Sequence, residues 1–313
     1  MAILSIRCAR WNSNIKKTDQ KQKRPPKVSI GLPVYNGEEF LRDTLDSLLA
    51  QTFTDFELVI SDNASTDTTE AICMEYAVCD PRIRYVRQSE NLGAVSNWNF
   101  VLNEAAASYF MWAAADDYYS EEWLFELLKG IENSKYSCAM GRIVHVDSSN
   151  DSINRDTSNG AFITKIPELS GNERAVHRVL KFFLGRNDML IYGLFKTKIL
   201  KSFDLLVPPY THLPFDTTYP YLYAMLTHGG VYQSKTARIF KRYHPSQLSS
   251  QFQVSLNGQY RINKNHTFLI KNYLKHTSLH FAERWFIYWF IKFYLLGSLI
   301  KNFQNFRLIK NKL

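Results

Sequence analysis

The chain has 313 residues, of which 45% are hydrophobic and 14% aromatic, and this composition excludes a disordered protein and allows one large or two smaller domains. Its formal net charge of +9 is unevenly distributed, because residues 1–27 carry +7, residues 235–313 carry +13 and residues 28–234 therefore carry −11. A nucleic-acid-binding domain is normally basic where it is folded, so an acidic body with basic ends argues against a nucleic-acid partner.

Residues 1–26 are polar and basic, end in Pro25-Pro26, and are predicted to form a flexible leader. From residue 27 onward, apolar runs of strand length alternate with segments of helical periodicity. The predicted strands are 28–34, 56–61, 83–86 and 109–114, and the predicted helices are 38–51, 66–79, 94–107 and 121–133. This alternation predicts an α/β fold with a mostly parallel, doubly wound sheet flanked by helices.

The pattern is looser after residue 136. It predicts strands at 137–146, 189–195 and 231–241, a loop at 147–160, helices at 172–185 and 216–227, and an aromatic helical segment within 258–304. The predicted organisation is therefore a leader at 1–26, a domain at 27–250 with halves at 27–135 and 136–250, and a helical C-terminal extension at 251–313.

Carboxylates follow three of the first four predicted strands: Glu38 after the first, Asp62 after the second, and Asp116-Asp117 after the fourth. In a parallel sheet these positions share one edge, where ligands bind. Crowded negative charge needs hydrogen-bond donors or a cation, and a divalent cation that also binds ligand phosphates would serve both needs. The alternative is that Asp62 and Asp117 are ordinary turn and capping residues.

Five segments carry a family resemblance: Val28-Ser29-Ile30-Gly31-Leu32-Pro33-Val34-Tyr35-Asn36-Gly37-Glu38, Leu48-Leu49-Ala50-Gln51-Thr52, Ser61-Asp62-Asn63-Ala64-Ser65-Thr66-Asp67, Asn91-Leu92-Gly93 and Asp116-Asp117. Together they resemble the inverting glycosyltransferases of family 2, which have a GT-A fold. The resemblance is close over about residues 27–135 and weaker to about 250. It implies that the first half binds a nucleotide-sugar and the second half an acceptor.

The resemblance also implies residue roles. Pro33 and Tyr35 would flank the nucleotide base, and Asp62 would accept an N–H donor such as that of uracil or thymine. Asp117 would be the more direct ligand of Mn²⁺ or Mg²⁺, with Asp116 nearer the sugar or ribose. The implied nucleotide-sugar-binding residues are Pro33, Tyr35, Asn36, Glu38, Asp62, Asn91, Gly93, Asp116 and Arg242, and the implied metal ligands are Asp117, Asp116 and His244.

Two positions depart from the family pattern. Ala114 stands where many relatives have a third Asp, two positions before Asp116. Trp98-Asn99 stands where the family's Asn-x-Gly stretch usually continues to Arg-Asn. A cation expected near the nucleotide is therefore absent from that position.

An inverting transfer needs a base that deprotonates the acceptor hydroxyl. The resemblance places it at the start of a helix in the second half, where Asp216 is the candidate and Asp188 and Asp204 are its rivals. The alternative for Asp216 is an acid favoured by the helix dipole. In the segment Arg242-Tyr243-His244-Pro245, Arg242 would neutralise the leaving diphosphate and His244 would bind metal or phosphate; the alternative for His244 is a surface turn.

The C-terminal extension contains an aromatic run at 285–300 with Lys292 near its middle and several flanking cations. The run is short for a membrane span, which needs ~20 apolar residues. It is typical of an interfacial helix on an anionic membrane, and packing on the catalytic domain is the open alternative. Arg284-Trp285 lacks the Gln of the processive enzymes' Gln-x-x-Arg-Trp motif, which favours addition of a single sugar.

The sequence thus predicts a metal-dependent inverting glycosyltransferase that acts on a glycan or lipid-linked glycan acceptor in lipopolysaccharide, capsule or exopolysaccharide assembly, peripherally at the inner face of the plasma membrane. One alternative is a nucleotidyltransferase, although such enzymes usually have a Gly-rich phosphate loop after the first strand where this chain has Tyr35-Asn36-Gly37-Glu38. The other is a basic membrane- or nucleic-acid-binding adaptor, which the acidic body disfavours.

Overall fold

The computed structural model describes residues 24–150, 163–164, 166–185, 188–202, 215–245, 267–275, 277 and 279–310. Most of the predicted leader lies outside these residues. The first half contains β1 (Val28–Val34), α1 (Leu41–Leu49), β2 (Phe56–Asp62), α2 (Thr69–Cys79), β3 (Ile83–Arg87), α3 (Ala94–Asn103), β4 (Tyr109–Trp112), β5 (Tyr118–Tyr119) and α4 (Trp123–Ile131). All eight predicted elements of this half are present, each within a few residues of its predicted bounds.

The second half contains β6 (Tyr136–Val146), β7 (Ile163–Thr164), α5 (Ala175–Gly185), a 3₁₀ helix (Asp188–Tyr192), β8 (Leu194–Lys196), α6 (Thr197–Leu200), α7 (Phe215–Leu226) and β9 (Gly230–Arg242). A helix at 267–275, named α8 here, precedes the long α9 (Phe281–Lys310). The aromatic segment predicted within 258–304 is therefore helical wherever the structure describes it, apart from the short connection between α8 and α9.

One sheet joins the two halves, with the strand order β3-β2-β1-β4-β8-β6-β9-β5 and β7 paired to β6. The pairs β2–β3, β1–β2 and β1–β4 are parallel, as predicted. Beyond β4 the sheet is mixed, because β8 is antiparallel to β4 and to β6 and β5 is antiparallel to β9. The α/β prediction is confirmed, and parallel pairing also occurs in the second half, where β6 and β9 form a long parallel ladder.

The predicted strand at 189–195 is wrong over its first half, which forms the 3₁₀ helix. The chain turns at Gly193, whose amide donates to the carbonyl of Leu190. A Cβ at Gly193 would lie 2.7 Å from the carbonyl oxygen of Ala139, so the turn packs directly against β6. The apolar residues at 189–195 are therefore divided between the 3₁₀ helix and β8 and do not form one strand.

The parallel strands form the centre of the core. Val28, Ile30 and Leu32 of β1 are fully buried, as are Leu58 and Ile60 of β2. Strands buried on both faces read as nearly continuous apolar runs. Their carboxyl ends are aligned, since Val34 of β1 pairs with Asp62 of β2. The loops that follow β1, β2 and β4 therefore leave the sheet along one edge.

Candidate active site

The loop after β1 and the loop after β2 are joined by hydrogen bonds. The amide of Asn36 donates to Ser65 Oγ at 2.9 Å, and Asn36 Oδ1 accepts the amide of Thr66 at 2.8 Å. Glu38 Oε2 accepts both the amide and the hydroxyl of Thr68, at 2.9 and 2.6 Å. Asn36 and Glu38, predicted as donor-binding residues, thus brace the two loops, while Tyr35 beside them is 48% exposed.

Asp62 lies at the end of β2 with no exposed surface. Its Oδ1 accepts the amide of Ser65 at 2.8 Å, and its Oδ2 accepts Tyr85 Oη at 2.9 Å and Arg87 Nη1 at 2.8 Å. Arg87 also donates to the carbonyl of Ser65 at 2.9 Å. The Asp62 carboxylate is therefore held in one orientation by three donors and paired with a cation.

Tyr85 and Arg87 were not among the predicted site residues. Both lie on β3, where Arg87 pairs in register with Asp62. Burial, together with the bond to Asp62, raises the pKa of the Tyr85 hydroxyl above its usual value, which keeps it a donor. The signal available in the sequence was the position of both residues on the strand next to β2. Arg87 supplies a cation at this edge although Trp98 replaces the family's arginine.

Asn91 and Gly93 shape the loop after β3. Asn91 Oδ1 accepts Asn63 Nδ2 at 2.7 Å and the amide of Gly93 at 2.9 Å. Gly93 precedes α3 and has a φ of 82°, a backbone conformation that residues other than glycine rarely adopt. Trp98, one turn into α3, stacks on Trp112 with ring centroids 5.5 Å apart and so packs into the core.

The two carboxylates after β4 have different environments. Asp117 is completely buried; its Oδ2 accepts Lys241 Nζ at 2.8 Å and its Oδ1 accepts the amide of Arg242 at 3.1 Å. Asp116 is 24% exposed, and its Oδ2 lies 3.1 Å from His244 Nε2. This geometry favours Asp116 over Asp117, the ligand preferred from the sequence, as the carboxylate available to a bound group.

The pKa values follow the same division. Burial raises the pKa of Asp117 to about 6 against the opposing effect of Lys241, so at neutral pH the carboxylate is charged and paired. Burial also acts on Asp116, but Lys241 and His244 outweigh it and hold the pKa of Asp116 below its ordinary value. Asp116 is therefore an anion with an exposed side near neutral pH.

Arg242 is fully buried and braces the loop after β4. Its guanidinium donates to the carbonyl of Asp116 at 2.9 Å, to Asp43 Oδ2 at 2.8 Å and to Asn150 Oδ1 at 2.6 Å. It also lies over the ring of Phe40, 4.3 Å from the centroid. With these contacts the structure favours a positioning role for Arg242 over the contact with the leaving diphosphate that the sequence predicts.

Arg242→Met is expected to lower the free energy of unfolding by about 2–4 kcal/mol, because it removes a buried guanidinium that donates to the carbonyl of Asp116. Urea unfolding followed by circular dichroism measures the change. Arg238→Met is the matched control, since Arg238 is exposed on the same strand, and it should change stability by no more than ~0.5 kcal/mol. Equal effects of the two substitutions would contradict the bracing role.

Asp116 and His244 fit a divalent cation. An oxygen and a nitrogen that occupy adjacent positions of an octahedral ion at ~2.1 Å stand about 3 Å apart, close to the 3.1 Å seen here. No cluster of three or more His, Cys, Asp or Glu side chains that could hold a metal is found in the described part of the chain. A bound ion would therefore need further ligands from outside these side chains.

The residues proposed as base are only partly described. Asp216 is the second residue of α7, and Asp188 begins the 3₁₀ helix, but the positions of both side chains lie outside the described part of the structure. Asp204 lies wholly outside it. The α7 helix itself is anchored by Tyr223, whose ring contacts Phe182 and Phe183 of α5 at 5.8 and 5.9 Å. The choice of base stays a prediction.

Residues 29–193 match the family model described as Glycosyl transferase family 2. This stretch runs from β1 to the turn before β8. The chain belongs to glycosyltransferase family 2. Its resemblance to that family is thereby confirmed over more than half of its length.

Curated relatives agree with this membership. Over 123 residues the chain is 33% identical to the glycosyltransferase GlyA of Streptococcus pneumoniae, a match that covers 39% of this chain and 18% of GlyA. Over 104 residues it is 35% identical to the putative teichuronic acid biosynthesis glycosyltransferase TuaG of Bacillus subtilis, covering 33% of this chain and 41% of TuaG. The matches span less than half the length of either relative.

Solved structures confirm the GT-A fold. The S. aureus TarS fragment in complex with UDP-GlcNAc superposes with a TM-score of 0.63 at 20% identity, over 84% of this chain and 70% of TarS. GalNAc-T7, solved with UDP, GalNAc and Mn²⁺, superposes with a TM-score of 0.52 at 10% identity, over 82% of this chain and 52% of that protein. At these identities the likeness concerns the fold alone.

Proposed function

We propose that this family 2 protein transfers a single sugar from a nucleotide-diphosphate sugar to an acceptor hydroxyl, with inversion at the transferred carbon. The observation that carries the proposal is the arrangement at one sheet edge: an exposed aromatic ring at Tyr35, an oriented carboxylate at Asp62, and a partly exposed carboxylate at Asp116 beside His244. An aromatic ring and an oriented acceptor suit a base, and an anion beside an imidazole suits a cation that binds phosphates.

The donor is proposed to be a UDP- or dTDP-sugar. Uracil and thymine both present a ring N–H that a carboxylate accepts, and we assign that role to Asp62, whose buried oxygens already accept three donors within the protein. Arg87 and Tyr85 hold that carboxylate in one orientation. The TarS fragment, which shares the fold, was solved with UDP-GlcNAc, and this supports a uridine nucleotide without identifying the sugar.

Asp116 and His244 are proposed to hold Mn²⁺ or Mg²⁺. When bound, such an ion neutralises the diphosphate and so stabilises the departing nucleoside diphosphate. The protein's own contribution is to hold the two ligands: Arg242 fixes the backbone of Asp116, and the ring of Phe40 packs 4.6 Å from that of His244. The structure of GalNAc-T7 with Mn²⁺ is consistent with metal use in this fold.

The acceptor is proposed to be a growing surface glycan, free or lipid-linked, at the inner face of the plasma membrane. The description of TuaG as a teichuronic acid biosynthesis enzyme supports a surface polysaccharide. The +13 charge of residues 235–313 supports an anionic surface nearby. Within the described residues, no helix combines the length and the mean hydropathy of a membrane span.

A donor panel tests the proposal. The purified protein is incubated with UDP-, dTDP- and GDP-sugars in the presence of Mn²⁺, Mg²⁺ or EDTA, and released nucleoside diphosphate is measured. We expect release from a uridine or thymidine donor that falls at least ~100-fold in EDTA and returns when metal is added back. Release of pyrophosphate from a nucleoside triphosphate and a sugar phosphate would instead identify a nucleotidyltransferase.

A further inference from the structure

Helix α9 has two apolar faces. Ile287, Ile291 and Leu295, spaced four residues apart, are buried against the body of the protein. On the other side lies a row of apolar side chains that we name the α9 aromatic face: Trp285, Phe286, Trp289, Phe293 and Leu296. Trp285 is 57% exposed and Phe293 is 62% exposed. A helix that is apolar all round is normally covered on both sides, so this face needs an occupant.

The inner face shows that α9 is docked on the protein. Phe183 of α5 contacts Phe290 and Tyr294 of α9, with ring centroids 6.1 and 5.0 Å apart. Phe183 also contacts Tyr223 of α7, the helix whose second residue is Asp216. Helix α5 therefore lies between α9 and the helix that begins with the predicted base. The outer face of α9 points away from this packed set.

Charge identifies the occupant. Residues 235–313 contain fourteen Lys and Arg against one acid, Glu283. That acid is neutralised within the protein, because its Oε1 pairs with Arg174 and its Oε2 accepts the amide of His280. Lys292 lies beside the aromatic face with its Nζ 4.4 Å from the centroid of a Trp289 ring. Tryptophans with lysines at their rim are typical of the boundary between water and an anionic bilayer.

We propose that the α9 aromatic face binds the interfacial region of an anionic membrane, with the helix lying along the surface and the catalytic body held above it. Lys292, which stands within the apolar segment, favours this shallow placement of the helix. Binding through this face would place α7 near lipid-linked acceptors. That expectation rests on the proposed function, whereas the membrane contact itself does not.

Vesicle binding by the full-length chain tests the proposal. Sedimentation is compared for vesicles of pure phosphatidylcholine and of equal parts phosphatidylcholine and phosphatidylglycerol. We expect binding to the anionic vesicles and a partition coefficient at least about tenfold lower for the triple variant Trp285→Ser, Trp289→Ser, Phe293→Ser. The matched control is Met74→Ser, Val78→Ser, Phe125→Ser, three exposed apolar residues elsewhere on the body, which should bind within about twofold of the wild type.

A second variant reports the site of contact. Trp285→Phe with Trp289→Phe keeps the face apolar, so it should still bind while losing the blue shift of tryptophan emission that accompanies entry into lipid. Equal loss of binding in the control triple variant, or equal binding to neutral vesicles, would overturn the proposal. Light scattering gives a further check. If the wild type is a dimer and the face variant is a monomer, a second copy of the chain covers the face and the proposal is overturned.

Donor turnover separates this inference from the proposed function. Metal-dependent release of nucleoside diphosphate by the face variant, measured without vesicles, should equal that of the wild type. If nucleoside diphosphate is released but the protein does not bind vesicles, the membrane-binding proposal is refuted and the proposed transferase function is not. If the protein binds anionic vesicles but releases nucleoside diphosphate from no donor, the proposed transferase function is refuted and the membrane-binding proposal is not.

Discussion

Asp116→Asn is expected to lower kcat for nucleoside diphosphate release by about 10²–10³-fold. The amide keeps the shape of the carboxylate but removes its charge, and this is the partly exposed anion that faces His244. The loss should be accompanied by weaker binding of Mn²⁺ in the presence of UDP, measured by titration calorimetry. The free energy of unfolding should change little, because Asp116 already contacts solvent on one side.

Asp117→Asn is the matched comparison, since it makes the same chemical change one residue away. It leaves the ammonium of Lys241 buried without its counter-ion, and breaking such a pair typically costs about 3–5 kcal/mol of stability. We therefore expect a marked drop in the urea midpoint, with Mn²⁺ binding retained by the fraction that is folded. If Asp117→Asn instead abolishes metal binding at unchanged stability while Asp116→Asn remains active, the ligand preferred from the sequence is the correct one.

Much of this site could be predicted because its positions depend on local order along the chain. Alternating strands and helices indicate a parallel arrangement, and parallel strands bring their carboxyl ends to one edge. Asp62 and Asp116 are therefore predicted to lie along the same edge of the sheet. The observed pairing of Val34 with Asp62, and the direct pairing of β1 with β4, are its structural counterparts.

The partners of those residues could not be predicted in the same way. Lys241 and Arg242 follow the Asp116-Asp117 pair by more than a hundred residues, and they reach it because β9 pairs with β5. Nothing local in the sequence distinguishes a lysine that neutralises a buried aspartate from one that faces solvent. The difference between the two carboxylates, one locked and one partly exposed, is therefore a property of the mixed half of the sheet, where the strand–helix pattern gave the least information.

Asn36 and Glu38 illustrate a second limit. A motif resemblance assigns the whole segment after β1 to donor binding, but their side chains bridge to Thr66 and Thr68 in the neighbouring loop. Such bonds hold two loops at a fixed separation, which in turn positions Tyr35 and Asp62. Residue type and spacing alone do not distinguish a side chain that contacts a ligand from one that holds the contacting residue in place.

Asp216→Asn is expected to lower kcat for transfer to an acceptor by about 10²–10⁴-fold, the usual contribution of a positioned general base. The donor KM should stay within about twofold of the wild type, because the proposed nucleotide-binding residues Tyr35 and Asp62 belong to the first half of the chain and not to α7. Metal-dependent release of nucleoside diphosphate to water should fall less than transfer, since water needs no oriented acceptor. Initial rates with a glycan acceptor, measured alongside donor hydrolysis, give both quantities.

Asp188→Asn and Asp204→Asn are the controls, because each removes one rival carboxylate with the same isosteric change. If Asp216 is the base, only Asp216→Asn lowers the rate of transfer to the acceptor more than the rate of donor hydrolysis. The Asp188 and Asp204 variants then keep both rates. If a rival variant shows that separation instead, the base lies there and Asp216 is a helix-terminal acid whose loss affects only stability. Asp216 stands at the start of α7, a helix that the rings of Phe182 and Phe183 hold through Tyr223. A base needs such a fixed support, because a proton is transferred efficiently only when donor and acceptor atoms are held within hydrogen-bond reach.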